Sequence, residues 1–331
     1  MSKRLKKSFK VLLVGAGNVG SRHLQALKAV KIPLKIFVVE PSAKSIRLAK
    51  ERYDSAPAGK FFHEVAYRKE IPDGNDLVDL AIIATCSDIR AEVIRKLFKK
   101  SKVRFLILEK LLFDKREDYD SIGKLIKQSV TRTWVNCPMR MMPSFNHLQK
   151  EFLGKRIFYN TTLSNDGLIT NAIHYLDHMV FLTGSDDFTI NTDGLDKQTV
   201  SSKRNRFIEF TGALRVLFKN GSIGDLVCFR GGNVPILVQF YCDKVMCLIK
   251  ETESKAWISK AVSGWKWNEI RAPLLFQSQL TTRLVDDILV EGVCQLPAYE
   301  QSKKIHLQLL EPLLKFLNEH SRKKYNSYPF T

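Results

Sequence analysis

The feature that most limits what this chain can become is Gly15-Ala16-Gly17-Asn18-Val19-Gly20, a G-x-G-x-x-G run directly after the apolar stretch Val11-Leu12-Leu13-Val14. The hexapeptide alone recurs by chance in unrelated proteins, and its context here gives it force. A short apolar strand precedes it and an amphipathic helical pattern follows, the setting of a dinucleotide-binding fingerprint. Gly15 permits the tight turn, Gly17 lets the main chain approach a pyrophosphate, and Gly20 lets helix and strand pack closely. The N–H groups at the start of that helix, around Asn18 and Val19, together with its dipole, suit an anion. Glu40 ends the next apolar run, 20 residues beyond Gly20. A carboxylate there accepts both ribose hydroxyls and repels a 2′-phosphate, so NAD is expected over NADP. Lys44 and Arg47 follow closely and soften that preference.

The rest of the first 137 residues keeps the same rhythm of apolar runs and amphipathic stretches. Strands are expected at Lys10–Val14, Leu34–Val39, Leu80–Ala84, Phe105–Leu108 and Thr133–Asn136. Helices are expected at Val19–Val30, Ser42–Tyr53, Ile89–Lys99 and Arg116–Gln128, with Ser42 and Ser87 placed as caps. Strands that are apolar without alternation, separated by helices, predict a doubly wound parallel sheet, a Rossmann domain over 1–137. After Pro138 the pattern changes. Helices are expected at Pro143–Phe152 and Leu168–Leu182, around a strand at Arg156–Leu163. Strands then follow one another at Phe207–Leu217, Ser222–Phe229, Pro235–Tyr241, Lys244–Lys250 and Ala256–Ala261. Short turns between consecutive strands imply an antiparallel sheet. Helices at Gln277–Leu289 and Tyr299–His320 close the chain and are free to pack back on the first domain. Residues 138–331 thus form a second domain of α+β type, carrying the substrate site.

Bulk properties narrow the classes. The 331 residues carry a formal net charge of +19, with basic clusters at Lys3–Lys10, Arg95–Arg104 and Arg322–Lys324. No helix-turn-helix, zinc-finger or RNA-binding signature accompanies that charge, so solvated helix faces and a bias toward anionic small molecules are expected rather than nucleic acid. The six cysteines are scattered without metal-ligand spacing, and no structural metal is expected. No apolar run approaches the roughly 18 residues that cross a bilayer. Met1–Gly17 superficially resembles a secretory leader, but its apolar part is too short and the glycines explain it as a strand and turn. A cytoplasmic protein with no membrane partner is the expectation.

Two positions suit the chemistry that accompanies a dinucleotide. Glu109-Lys110 follows the fifth predicted strand, where an amine reaches the crevice at the sheet's carboxyl edge. The loop Thr85-Cys86-Ser87, followed by Arg90, ends the strand beside it and should run along the nicotinamide half of the cofactor. Asn171, His174 and Asp177 lie three apart and share one helix face. A lone helical histidine is more often structural than catalytic, and from spacing alone this stripe is equally a polar edge of a buried helix.

Taken together, GAGNVGSRHLQAL, Glu109-Lys110, the Gly167…His174-x-x-Asp177 stretch and the closing LPAYEQSKKIHLQLLEPLL resemble the Gfo/Idh/MocA family of sugar and polyol dehydrogenases over nearly the whole chain. The resemblance implies a Rossmann domain followed by an α/β domain on an open, mostly antiparallel sheet, often used for oligomerisation, here as a dimer or tetramer. It implies that Lys110 contacts nicotinamide and substrate, with Glu109 in the same motif. It also implies that His174 acts on the substrate hydroxyl proton, and that Arg140 lies near the crevice and meets an anionic substrate. The sequence departs from the family pattern at Leu111, where the motif has proline, and at Thr170, where an aspartate is common. Asn171 or Asp177 is then expected to orient the histidine. Asn171 resembles relatives in surface-polysaccharide and nonulosonic-acid pathways. The leading expectation is an NAD-dependent dehydrogenase of a sugar or nucleotide-sugar. The alternatives are an NAD-binding sensor or scaffold without catalysis, and a reductase of a non-sugar substrate on the same fold.

Overall fold

The apolar run ahead of the glycines is β1 (Phe9–Val14), whose last four residues are at most 5% exposed. Burial on both faces is what an apolar run without alternation requires. The computed structural model describes residues 8–74, 76–165, 167–204 and 206–331. Of the basic side chains in Lys3–Lys10 only Lys10 falls among them, and the first seven residues of the leader-like segment lie outside.

From β1 the chain runs through α1 (Asn18–Leu27), β2 (Leu34–Val39), α2 (Ala43–Ser55), β3 (Glu64–Arg68), β4 (Leu77–Ile83), α3 (Ser87–Lys100), β5 (Lys102–Leu108), α4 (Arg116–Gln128) and β6 (Arg132–Val135). The six strands form one sheet in the order β3-β2-β1-β4-β5-β6, every pair parallel. This is the doubly wound topology, with the order reversing between β1 and β4. Strand β3 escapes the sequence reading because it is an edge strand with no buried residue. Ser42 caps α2 as expected, accepting from the Ser45 N–H. Ser87 does not cap α3: Cys86 is the N-cap residue and Ser87 is the first residue of the helix, fully buried.

The second part begins with a short 3₁₀ turn, Pro138–Met141, and continues through α5 (Pro143–Phe152), β7 (Phe158–Ser164) and α6 (Leu168–Thr183). Then come β8 (Phe188–Asn191), β9 (Val200–Ser201), β10 (Ile208–Glu209), β11 (Gly212–Phe218), β12 (Ile223–Phe229), β13 (Leu237–Tyr241), β14 (Val245–Lys250), β15 (Lys255–Lys260) and β16 (Trp267–Arg271). Eight of these strands form a sheet in the order β16-β15-β14-β13-β7-β12-β11-β8. It is antiparallel except at its centre, where β7 and β12 run parallel. The single strand expected over Phe207–Leu217 is broken. Ile208–Glu209 turns aside to pair with β9, and β11 starts at Gly212, whose φ of +97° and close approach to the Gly194 carbonyl exclude a side chain. Side chains alternate: Tyr159, Val238, Phe240, Cys247 and Ile249 are buried on one face, and Phe158, Tyr241, Met246, Leu248 and Trp257 are half-buried on the other. Helix α6 is apolar nearly all round and accordingly buried along most of its length.

The chain closes with α7 (Gln277–Glu291) and α8 (Tyr299–His320). Two compact units result. The first comprises the chain up to Phe113, Glu117–Asn136 and Leu275–Tyr299; the second comprises Asp114–Arg116, Cys137–Leu274 and Glu300–Thr331. Helix α7 thus belongs with the parallel sheet, where it packs on α1 and the Thr282 hydroxyl donates to the Ala26 carbonyl at 2.8 Å.

Candidate functional site

The glycine loop fits a dinucleotide on its own geometry. Gly15 has φ +89°, and a Cβ there would lie 2.9 Å from the Ala84 carbonyl carbon. A Cβ on Gly20 would lie 1.9 Å from the Gly15 carbonyl oxygen, so the helix sits directly against the strand end. A Cβ on Gly17 would meet nothing within 4 Å. Space is therefore kept at the one glycine that faces outward, and closeness is used at the two that face inward. Helix α1 has no side-chain cap and no acidic residue in its first turn, so its N-terminal partial charge is available to a pyrophosphate.

Glu40 stands at the rim of this loop, 9% exposed. Its Oε2 accepts from the Ala16 N–H at 2.8 Å and its Oε1 from the Ser42 N–H at 2.9 Å. Each carboxylate oxygen keeps a further lone pair, which leaves capacity for ribose hydroxyls from an already fixed position. The β4 end carries Thr85 and Cys86, both half-buried. The Thr85 hydroxyl is buried and has no hydrogen-bond partner among the described residues. An unfilled polar atom at a sheet's carboxyl edge is what a bound cofactor amide would satisfy. The residues present therefore fit NAD.

Arg90 and Glu109, both expected at the cofactor, are turned inward. The Arg90 guanidinium is 1% exposed. Its Nη1 donates to the carbonyls of Leu111 and Leu112, the latter at 2.8 Å, and its Nη2 donates to the Thr85 carbonyl. Glu109 closes a polar ring. Its Oε1 lies 2.8 Å from His23 Nε2 and accepts from Asn136 Nδ2. Asn136 also donates to Gln277 Oε1 at 2.7 Å, and Gln277 donates to the Thr281 hydroxyl at 2.7 Å. That hydroxyl lies 2.8 Å from His23 Nδ1. Burial pushes the Glu109 carboxyl up, but the hydrogen bond and charge of His23, with Asn136 and Arg90 behind them, hold it below the usual carboxylate range. Between these two anchors sits Lys110, half-buried, after a β5 strand whose last four residues are fully buried; the Lys110–Leu111 peptide is cis.

In the second unit, Thr170, Asn171 and His174 are half-buried near the start of α6. Asn171 Nδ2 donates to the Gly167 carbonyl at 2.8 Å, steadying the first turn. The carboxylate that serves this helix comes from elsewhere. Glu209, 3% exposed, accepts from the Ile169 N–H at 2.8 Å and the Thr170 N–H at 3.2 Å. It complements the positive end of the helix. Asp177, expected to orient His174, accepts instead from Arg140: Nε to Oδ2 at 2.9 Å, and Nη2 to Oδ1. Arg140, expected at an anionic substrate, is 8% exposed and committed to this pair, with Gln301 Oε1 at 3.3 Å as a further acceptor. Burial pushes the Asp177 carboxyl up to about 6 against the pull of Arg140. One residue on, His178 is fully buried among Phe145, Tyr159 and Phe240, with Nδ1 2.9 Å from the Tyr159 hydroxyl. Burial, aided by the Arg140 charge, lowers it to about 3, and it is a neutral core residue.

The sequence reading missed His23, Asn136, Gln277, Thr281 and Glu209. His23 left one signal, since it lies on the buried stripe of α1 with Gly20, Leu24 and Leu27, where a polar side chain needs a partner. The other four left none.

This geometry defines a class, a Rossmann domain built for a nicotinamide dinucleotide. In sequence comparison, residues 9–137 match the Gfo/Idh/MocA model, described as the oxidoreductase family with an NAD-binding Rossmann fold. A search of curated protein sequences finds no significant match. Among solved structures, the fold is similar to UDP-N-acetylglucosamine 3-dehydrogenase from Acidithiobacillus ferrooxidans (TM-score 0.69, 13% identity, 95% of this chain and 99% of that one). An oxidoreductase from Agrobacterium radiobacter in complex with NAD+ and L-tartaric acid aligns with TM-score 0.68 at 14% identity, over 91% of this chain and 94% of that one. Biliverdin reductase from Synechocystis sp. PCC 6803 aligns with TM-score 0.67 at 12% identity, over 95% and 99%. At such identities the likeness is one of fold, and it extends through both units.

Proposed function

We propose that this NAD-binding oxidoreductase moves a hydride between nicotinamide and a hydroxyl or keto carbon of a sugar or nucleotide-sugar. Bound nicotinamide would accept or supply the hydride. The chain's own groups supply the rest: Lys110 polarises the substrate oxygen, and His174 takes the hydroxyl proton in oxidation and returns it in reduction. The observation that carries this reading is Lys110 itself, a half-buried amine at the carboxyl edge of the parallel sheet, with its main chain anchored on both sides. Glu40 favours NAD by the ribose argument above. Asn171 steadies the turn that presents His174, and Asp177, through Arg140, anchors the helix rather than the proton transfer.

The test has two stages. NADH and NADPH are titrated by nicotinamide fluorescence; NADH binds more tightly, and Glu40→Ala weakens it. Turnover is then screened across sugars and nucleotide-sugars, with biliverdin as the non-sugar control. Lys110→Met is expected to lower kcat by roughly 10²-fold or more, the range of a positioned polarising or proton-moving group. Intact turnover in Lys110→Met would overturn the assignment. Reduction of biliverdin alone would move the substrate class and keep the enzyme class. The half-buried face of the eight-stranded sheet, with Phe158, Tyr241, Met246 and Trp257, is proposed to receive a second copy of the chain. Sedimentation equilibrium that returns a monomer would end that part.

A further inference from the structure

We propose that Arg90 is a positioning residue for Lys110, holding the loop that carries the lysine in register with the Thr85 loop. The proposal rests on the reading of Lys110 given above. A guanidinium stays charged in proteins, so a fully buried one must be surrounded by acceptors. Its acceptors here include three main-chain carbonyls, and they come from two loops: Thr85 after β4, and Leu111 and Leu112 after β5. The Leu111 and Leu112 carbonyls are the first two after that of Lys110, so the fork fixes the main chain immediately beyond the lysine. Glu109, held by His23 and Asn136, fixes it immediately before. The lysine side chain stays half-exposed between two immobilised neighbours.

The third carbonyl gives the arrangement a function beyond stability. Thr85 carries a buried hydroxyl with no partner among the described residues, at the edge where the nicotinamide end of the cofactor is expected. One side chain therefore ties the loop bearing the amine to the loop bearing that hydroxyl, setting their spacing. A flexible ammonium cannot span three carbonyls in a planar fork, so lysine is not an equivalent replacement. At position 111 the hold acts on the carbonyl oxygen.

The test uses the full chain and needs no substrate. Lysines are reductively methylated with ¹³C-formaldehyde, and the Lys110 resonance is assigned from its disappearance in Lys110→Arg. Its position, width and titration midpoint are followed in Arg90→Met and Arg90→Lys, beside amide hydrogen exchange of the Leu111–Phe113 segment. Tyr299→Phe, which removes a hydroxyl donating to the Tyr119 carbonyl in the same unit, serves as the stability control. The expected result is a shifted or broadened Lys110 resonance and exchange at least tenfold faster in both Arg90 variants, with neither change in Tyr299→Phe. An unchanged resonance and exchange in the Arg90 variants would overturn the proposal, as would the same changes in Tyr299→Phe. Should Arg90→Met fail to fold, Arg90→Lys, which keeps the charge, carries the test. Intact turnover in Lys110→Met alongside a disturbed Lys110 signal in the Arg90 variants would refute the catalytic reading and leave the positioning result standing.

Discussion

The surroundings of Lys110 and of His174 solve the same problem by opposite means. Lys110 follows a strand end, where the main chain has left the regular ladder of the sheet. It is pinned residue by residue, by Arg90 on one side and the Glu109 ring on the other. His174 sits in a helix, where the i→i−4 ladder already fixes each residue relative to the next. There the helix as a body needs anchoring, and among the described residues two charged contacts supply it, Glu209 at its first turn and Arg140 at Asp177. A loop takes a network; a helix takes two points of attachment.

That contrast can be broken or sharpened. The largest effect is expected at the helix anchor. Arg140→Met leaves the Asp177 carboxylate buried and unmatched, which costs about 3–5 kcal/mol, whereas adding Asp177→Leu recovers most of it. Chemical denaturation of the single and double variants checks this, and equal losses in both would mean that packing rather than charge is at stake. Next comes acid sensitivity in the same unit. A histidine held at about 3 instead of 6.5 contributes stability that is complete above pH 6.5 and lost as pH falls toward 3. The loss amounts to about 3 kcal/mol between pH 6.5 and 4, at 1.36 kcal/mol per unit. A Tm–pH profile should fall more gently on the acid side in His178→Gln. In the first unit, Gly17→Ala adds a methyl where nothing lies within 4 Å. It should leave the apparent Tm within about 2 °C while weakening NADH at least tenfold, about 1.4 kcal/mol. A large Tm loss would show that the space is structural and not kept for a ligand. The smallest effect is Glu209→Gln, which keeps one acceptor at the α6 N-terminus and loses the charge, for about 0.5–1 kcal/mol. A Tm change of that size, with backbone exchange confined to the first turn of α6, fits the two-point picture.

The two regions also differ in how far the sequence could announce them. The glycine run and Glu40 were readable because strand, turn and helix are contiguous, and each glycine answers to a local demand. The six parallel strands followed from apolar runs, apart from β3, whose edge position leaves it no buried face. The parallel pairing of β7 with β12 was not readable, since the short turns that suggested an antiparallel sheet say nothing about a strand inserted between two hairpins. The supports around Lys110 and His174 were hidden for a similar reason. His23 and Thr281 are 258 positions apart, and Glu209 reaches a helix start 40 positions earlier. Periodicity reports which face of an element is buried, and it cannot report which distant element supplies the partner. For Arg140 and Asp177 the sequence offered functional residue types, and burial converted both into anchors.

Helix α7 gives the polar ring a history as well as a shape. The Gln277 and Thr281 that complete it are made 140 or more positions after Asn136, with the whole eight-stranded sheet between them. Ribosomal synthesis proceeds from the N-terminus at about 5–20 residues per second, so the parallel sheet emerges and waits on the order of ten seconds with His23 lacking its Thr281 contact and α1 lacking its cover. Every new molecule therefore passes through a stage in which its nucleotide-binding half is drafted but unsealed. A chaperone, or a ribosome stalled between residues 137 and 275, would meet that half-finished surface and never the finished one.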